Sequence, residues 1–207
     1  MLGLKNNRSN VIEAYKSLII NIENNLGNNN VKVIAVVSYT GKQGKTTVCK
    51  DLSLSLAKKN RKVLLIDCNF RKPSLNNVFK IKAKEGILDV LLNEKDLYQV
   101  LFNYNENLKI LTAGGTINKQ TDIIDCDKMS ELLEDLRENY DYIILDTPKM
   151  DLYTDAQILA QKSDGVILVV KEAKNSLDLI LKLKKKLNIV KANILGIVLN
   201  ESNADYN

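Results

Sequence analysis

Short apolar runs alternate along the chain with longer segments in which apolar residues recur every three or four positions. The short runs predict buried β-strands, and the longer segments predict amphipathic helices. The predicted strands are residues 31–38, 62–67, 108–112, 142–146, 166–170 and 193–199. Because strands and helices alternate, we predict an α/β fold in which helices flank both faces of a central, mostly parallel sheet.

Four segments have the spacing of amphipathic helices: residues 13–26, 45–58, 128–139 and 177–187. In the second, Val48, Leu52 and Leu56 recur at four-residue intervals and so share one face. With 207 residues, the chain can build one sizeable core but not two ordinary domains. We therefore predict a single domain over 1–207, with 1–30 as an N-terminal helix and lead-in and 201–207 as a short tail.

The composition is informative mainly because it excludes several kinds of functional site. The chain contains no histidine, which rules out Ser-His-Asp and Cys-His nucleophilic sites and histidine-ligated zinc. Its three cysteines, Cys49, Cys68 and Cys126, lack the spacing of a metal site or a disulfide framework, so we expect reduced thiols. Any chemistry must rest on carboxylates, lysines, backbone amides and a metal ion.

The net charge of +5 owes much to a lysine run at 182, 184, 185 and 186. The run is short and has no interleaved aromatic residues, so we interpret it as a solvated helix face and expect no nucleic-acid partner. Contact with nucleic acid or anionic lipid is the alternative. No apolar run reaches the roughly 18 residues that a membrane span needs, and we predict a cytoplasmic protein.

The strongest motif is SYTGKQGKTT at 38–47, between the first predicted strand and the next helix. Loops in this position bind phosphate because backbone amides converge there on anionic oxygens. Lys45 would reach the β and γ phosphates of a nucleotide, and the Thr46 hydroxyl would bind Mg²⁺. The motif is a variant, because the strict pattern has glycine at Tyr39. The predicted nucleotide-binding residues are Gly41, Lys42, Gln43, Gly44, Lys45, Thr46 and Thr47.

Two further predicted strands end in carboxylates, at Asp67 and Asp146. The carboxyl ends of parallel strands meet along one edge of a sheet, so both should lie near the phosphate loop. Asp146 has the Walker B arrangement, which holds Mg²⁺ directly or through water. Strand alternation predicts that Asp67 and Asn69 point to the same side. In the alternative interpretation, Asp67 only caps the following turn. The predicted metal ligands are Thr46, Asp67, Asn69 and Asp146.

The order of these motifs resembles the bacterial tyrosine kinases of capsule and exopolysaccharide systems, P-loop proteins related to partitioning-type ATPases. The likeness extends over nearly the whole chain, from Glu13 to Asn200. It implies Mg²⁺-dependent transfer of the γ-phosphate of ATP to tyrosine. By that resemblance Lys45, Asp67 and Asp146 are catalytic and Asn200 lies near the adenine, with a simple strand-end turn as the alternative for Asn200.

The resemblance also implies a transmembrane modulator, whose cytoplasmic tail activates the kinase at the inner face of the membrane, and tyrosine-containing protein substrates. The chain departs from the family pattern in several places. Asn69 replaces an aspartate, and Gly41-Lys42 replaces Pro-Gly. The family's ring-forming Glu-x-x-Arg-x-x-Arg reads Glu13, Lys16 and Ile19, and its C-terminal tyrosine cluster is reduced to Tyr206. These departures argue against the family ring and against multi-site autophosphorylation.

Three functions therefore remain open from the sequence. The leading one is a protein-tyrosine kinase. The second is an ATP-binding regulatory module of the same polysaccharide system, with weakened catalysis. The third is a partitioning-type ATPase that dimerises across nucleotide. Those proteins carry a signature lysine where this chain has Thr40, so the third hypothesis ranks lowest.

Overall fold

The computed structural model describes residues 2–3, 8–24, 31–92, 94–117 and 119–201. Within these ranges the strands are β1 (Leu2–Gly3), β2 (Val33–Val37), β3 (Val63–Asp67), β4 (Phe102–Asn103), β5 (Leu108–Leu111), β6 (Tyr142–Asp146), β7 (Gly165–Lys171) and β8 (Ile194–Asn200). The helices are α1 (Arg8–Asn24), α2 (Lys45–Lys58), α3 (Leu75–Phe79), α4 (Ile87–Leu91), α5 (Leu97–Val100), α6 (Gln120–Asp125), α7 (Asp127–Asn139), α8 (Asp155–Gln161) and α9 (Ser176–Ile189). No helix in these ranges is both long enough and apolar enough to cross a membrane.

The strands form one sheet in the order β1-β8-β7-β2-β6-β3-β5-β4. Every neighbouring pair is parallel except β4 and β5, which are antiparallel. β2 lies between β6 and β7, and β3 lies on the other side of β6. The loop after β2 therefore begins in the middle of the edge where the parallel strands end, which is the usual ligand-binding position in such sheets.

Helices cover both faces of this sheet, as predicted. All residues of β2, β3 and β6 are buried, which explains their nearly continuous Val, Ile and Leu content. One face packs against α1 and α2, and the other packs against α4 and α6 to α9. The central strands are thus held between two apolar layers and give the loops at their ends a fixed base.

All six predicted strands are present, with ends within two residues of the predicted ones. β1, β4 and the short helices α3, α4, α5, α6 and α8 were not predicted. They have two to seven residues each, too few for a recognisable hydrophobic period. α1 begins at Arg8 rather than at residue 13. The predicted turn at 27–30 and Tyr206 lie outside the described residues.

Asp164 joins the amino ends of two strands to a helix on the opposite side from the phosphate loop. Its Oδ2 accepts hydrogen bonds from the backbone N–H groups of Lys32 and Val33, both at 2.8 Å. The Arg137 guanidinium of α7 donates to both of its oxygens, at 2.7 and 2.8 Å. Burial by itself raises the pKa of the Asp164 carboxyl, but these donors outweigh burial and leave the pKa below its ordinary value.

We expect Asp164→Asn to lower the free energy of unfolding at pH 7 by about 2 kcal/mol, because charged hydrogen bonds are lost. A lowered native pKa means that the carboxylate stabilises the fold above its unfolded pKa, near 4, and loses this effect as pH falls through the native value. Denaturant titrations from pH 7 to pH 2.5 should therefore show the difference from wild type shrinking.

The matched control is Asp141→Asn, at a carboxylate that accepts from the backbone N–H of Lys62 at 2.8 Å but lies on the exposed surface. We expect a smaller loss there. Equal losses in the two variants, or a difference independent of pH, would contradict the role given to the Arg137 pair.

Candidate functional site

The phosphate loop of residues 38–44 connects β2 to α2 through two residues of left-handed backbone. Gly44 has φ of 88° and Lys42 has φ of 60°. Gly44 is required for a second reason, because a Cβ atom there would lie 2.0 Å from Asn200 Nδ2. Lysine at position 42 costs about 1 kcal/mol relative to glycine in this conformation. The loop therefore adopts a strained shape that its sequence only partly favours.

Lys45 folds back over the loop that precedes it. Its Nζ donates to Ser38 Oγ at 2.9 Å, and Ser38 Oγ in turn donates to the backbone oxygen of Thr40 at 2.8 Å. Burial lowers the pKa of the Lys45 ammonium, an effect that the nearby Asp146 carboxylate opposes. A cation held inside a loop of backbone N–H groups is suited to binding phosphate oxygens.

Thr46 and Asp146 are in direct contact. Thr46 Oγ1 donates to Asp146 Oδ2 at 2.6 Å and also lies 3.0 Å from Ser74 Oγ. Asp146 Oδ1 is buried and has no hydrogen-bond partner in the described part of the chain. Burial, together with the charge of Asp67, raises the pKa of the Asp146 carboxyl. The site thus contains a buried carboxylate oxygen that is suited to a cation or a further hydrogen-bond donor.

Asp67 lies beside Asp146, because the register of β3 and β6 pairs the two residues. Its Oδ1 accepts from the backbone N–H of Asn69 at 3.1 Å. Its Oδ2 accepts from those of Ser74 and Leu75 at 2.8 and 3.0 Å. Asp67 therefore does cap the start of α3, as one interpretation of the sequence held. Three donors leave about one of the four lone-pair positions of the carboxylate free for a further contact.

Asn69 lies beyond the end of β3, so strand alternation does not extend to it. Its backbone N–H donates to Asp67, and its side-chain Oδ1 accepts from the backbone N–H of Lys72 at 3.3 Å. In this conformation the side chain closes the turn after the strand. Its role as a metal ligand stays a prediction.

Gln43 and Asn200 tie the phosphate loop to the neighbouring strand ends. Asn200 Nδ2, at the end of β8, donates to the backbone oxygen of Gln43 at 3.0 Å. Gln43 Oε1 accepts from the backbone N–H of Lys171 at 2.7 Å, and Gln43 Nε2 donates to Thr40 Oγ1 at 2.9 Å. Asn200 is therefore more than a turn residue, because it contacts the loop directly. An adenine contact is a prediction that this geometry leaves open.

The residues at this edge fit a magnesium ion held together with nucleotide phosphates. Mg²⁺ in such sites takes one or two carboxylates and fills its other positions with water and phosphate oxygens. Asp146, with its unpartnered Oδ1, and the Thr46 hydroxyl match that set. Among the described residues there is no cluster of three or more Cys, Asp or Glu side chains that could hold a metal without phosphate.

Several residues at the site were not predicted from the sequence. Ser38 and Ser74 contact Lys45 and Thr46, and the backbone N–H groups of Met150 and Asp151 donate to the first residues of the loop. Ser74 is the residue before α3, and serine is a common residue type at helix starts, so its place was the one that a sequence signal could have indicated.

Most of the lysine run is solvated, as predicted. Lys182, Lys184 and Lys185 are exposed, and Lys186 is half-buried. Lys182 and Lys186 each place Nζ 5.8 Å from the centre of the Tyr39 ring, and Lys186 also donates to the backbone oxygen of Met150. Only Lys186 contacts both Tyr39 of the phosphate loop and the segment after β6, while Lys182 stays exposed and pairs with Asp178 of its own helix.

Comparison with known proteins agrees with this geometry. The family model described as "AAA domain" matches residues 31–200. The tyrosine-protein kinase CpsD of Streptococcus pneumoniae serotype 4 is 34% identical over 197 residues, which cover 94% of this chain and 86% of CpsD. The crystal structure of the chimerical protein CapA2B2 superposes with a TM-score of 0.88 at 28% identity, covering 93% of this chain and 85% of that one.

The septum site-determining protein MinD of Pyrococcus horikoshii, solved in complex with Mg-ADP, superposes with a TM-score of 0.70 at 29% identity. That match covers 83% of this chain and 71% of MinD. The phosphate loop, the two strand-end carboxylates and the similarity over nearly the whole length lead to one assignment. This chain belongs to the bacterial tyrosine-protein kinase family, a branch of the P-loop ATPases related to MinD.

Proposed function

We propose that this protein is an ATP-dependent protein-tyrosine kinase that regulates capsule or exopolysaccharide synthesis. One observation carries the proposal: the Lys45 ammonium, the Thr46 hydroxyl and the Asp67 and Asp146 carboxylates gather at the carboxyl ends of β2, β3 and β6. This set combines a cation and a metal site for the phosphates with a carboxylate available to the acceptor hydroxyl.

Each residue has a distinct task in this proposal. The loop amides and Lys45 bind and orient the β and γ phosphates, and Lys45 offsets the negative charge that develops there. Thr46 and Asp146 hold Mg²⁺, which supplies further charge neutralisation when bound. Asp67 accepts a hydrogen bond from the tyrosine hydroxyl, whose ordinary pKa is near 10. Burial raises the pKa of the Asp67 carboxyl, which makes it a better proton acceptor.

The partners and the location follow from the family resemblance. We propose that tyrosine-containing proteins are the substrates. A transmembrane modulator would bind the kinase through a cytoplasmic tail and hold it at the inner face of the membrane. That no nucleic acid is bound stays a prediction from the sequence.

A second candidate function is an ATP-binding regulatory module with little turnover. The observation that favours it is Asn69, which brings no negative charge to the site and whose amide oxygen is engaged with Lys72. The partitioning-type hypothesis has less support, because Thr40, at the position of the signature lysine, is bonded within its own loop to Gln43.

Lys45→Ala should weaken Mg²⁺-dependent ATP binding at least tenfold, because it removes the cation that the loop directs toward the β and γ phosphates. Isothermal titration calorimetry with MgATP measures the effect. Lys185→Ala is the matched control, since it removes the same charge from an exposed site on α9. Equal affinities in the wild type and Lys45→Ala would refute the phosphate-loop assignment.

Asn69→Asp should raise the rate of phosphate transfer to a tyrosine-rich substrate, because it adds a carboxylate beside the metal site. Asp67→Asn should abolish transfer. The assay uses labelled ATP at saturating Mg²⁺, with the cytoplasmic tail of a modulator supplied in trans. Since Asp67 also anchors the following loop, melting temperatures must show that Asp67→Asn is folded.

If the wild type already transfers phosphate rapidly and Asn69→Asp does not change the rate, the site tolerates the amide of Asn69. The hypothesis that Asn69 weakens catalysis would then be wrong. If both proteins bind ATP and neither transfers phosphate, the regulatory-module function replaces the kinase.

The isolated protein should not assemble into the family ring. Ile19 of α1 stands at the position of the second ring-forming arginine. It is 1% exposed, and its side chain packs in the core. Lys16 is exposed but pairs with Glu13 of its own helix at 3.1 Å, and lysine lacks the two-pronged geometry of arginine. Multi-angle light scattering should report a species smaller than the ring, and a stable octamer-sized particle without a partner would contradict this expectation.

A further inference from the structure

The segment that follows β6 lies directly against the start of the phosphate loop. The backbone N–H of Met150 donates to the backbone oxygen of Ser38 at 3.0 Å, and that of Asp151 donates to the oxygen of Tyr39 at 2.8 Å. These bonds fix the chain from Lys149 to Asp151 beside the loop. The side chains of this segment are consequently held close to any bound phosphate.

Lys149 lies over the loop itself. A Cβ atom built on Gly41 would be 3.8 Å from Lys149 Cδ, so the aliphatic part of the lysine lies on the open side of Gly41. Its charge is close enough to Lys45 to contribute to the lowered pKa of that ammonium. Lys45 of α2 and Lys149 of the segment after β6 therefore lie close enough for their positive charges to interact.

Asp151 compensates part of this charge. Lys149 Nζ is 3.3 Å from Asp151 Oδ2, with 36% of the lysine side chain and 21% of the aspartate side chain exposed. The other oxygen of this carboxylate, Oδ1, is buried and has no hydrogen-bond partner within the described ranges. The ion pair is therefore partly open to solvent and incompletely satisfied, so a phosphate can compete with Asp151 for the lysine.

We propose that Lys149 is a second cationic contact for the γ-phosphate, the terminal phosphate of bound ATP, and that Asp151 holds its ammonium beside the loop before the nucleotide binds. Lys149 reaches the loop from β6, the strand that ends in Asp146, and so approaches from the side where the outer phosphates meet the metal site. A lysine suits this exchange because its ammonium is a compact charge on a flexible stem. The proposal rests on nucleotide binding at this site, as in the proposed function.

Discrimination between ATP and ADP is the property that tests this contact. If Lys149 binds the terminal phosphate, Lys149→Met should weaken MgATP binding about tenfold and leave MgADP affinity nearly unchanged. Lys149→Arg should restore most of the preference for ATP. The measurement is competition of ATP and ADP against a fluorescent ADP analogue, with melting temperatures to confirm that each variant is folded.

Lys185→Met, at an exposed residue of α9, is the control for net charge. It should leave the affinities for MgATP and MgADP unchanged. Asp151→Asn should bind MgATP more tightly than the wild type, because the competing carboxylate charge is gone. Unchanged or weaker binding in Asp151→Asn would overturn the proposed exchange, in which the phosphate displaces Asp151 from the Lys149 ammonium.

Equal weakening of ATP and ADP in Lys149→Met would overturn the assignment to the terminal phosphate, and no change in either would remove Lys149 from the site. These two outcomes for Lys149→Met differ from failure of the proposed function. If the proposed function failed, the wild type would bind neither nucleotide, or would bind both and transfer no phosphate.

Discussion

The organisation of the site depends on two carboxylates buried side by side. Asp67 and Asp146 end adjacent parallel strands in register, and neither is exposed to solvent. Burying an unpaired charge is strongly unfavourable, and two neighbouring carboxylates repel each other as well. The surrounding structure offsets this cost with three backbone N–H donors on Asp67 and the Thr46 hydroxyl on Asp146. One oxygen of Asp146 has no hydrogen-bond partner among the described residues, which fits the proposed magnesium site.

The same hydrogen bonds fix the loops around the site. The donors to Asp67 come from both ends of the segment between β3 and α3, which is thereby folded around the carboxylate. Arg71 in this segment donates to the buried Asp155 at 2.8 Å and lies 3.6 Å from the centre of the Tyr153 ring, which connects the segment to the start of α8. The loops after β3 and β6 are therefore connected through the contacts of Arg71, so displacing one loop would also displace the other.

Much of the fold and the position of the site could be predicted from the sequence. Buried parallel strands give continuous apolar runs, and their carboxyl ends must share an edge, so Lys45, Asp67 and Asp146 could be brought together without coordinates. The short helices could not be predicted, because five residues such as those of α3 form little more than one turn. Ser74 precedes α3 and is a common helix-start residue, but the sequence LNNVF that follows it has no clear apolar period.

The orientation of side chains beyond a strand end could not be predicted from the sequence either. The expectation that Asn69 shares a side with Asp67 assumed that strand geometry continues past residue 67, whereas the chain turns there. Similarly, Lys149 carries no motif, and its place over Gly41 is set by hydrogen bonds between two backbone segments that are more than one hundred residues apart. Contacts of this kind depend on the packing of loops, which local sequence patterns do not encode.

The charges around the loop suggest that nucleotide binding and catalysis have separate requirements in this protein. Lys45 and Lys149 lie beside the phosphate loop, while Asn69 provides no carboxylate beside Asp67. Phosphate affinity depends on cations and backbone N–H groups, whereas transfer also needs a metal held in one position and a proton acceptor aligned with the phenol. Under the proposed function, such a site keeps the cations that bind nucleotide phosphates. The rate of transfer would then depend on how well Asp67 and Asp146 position the metal and the acceptor.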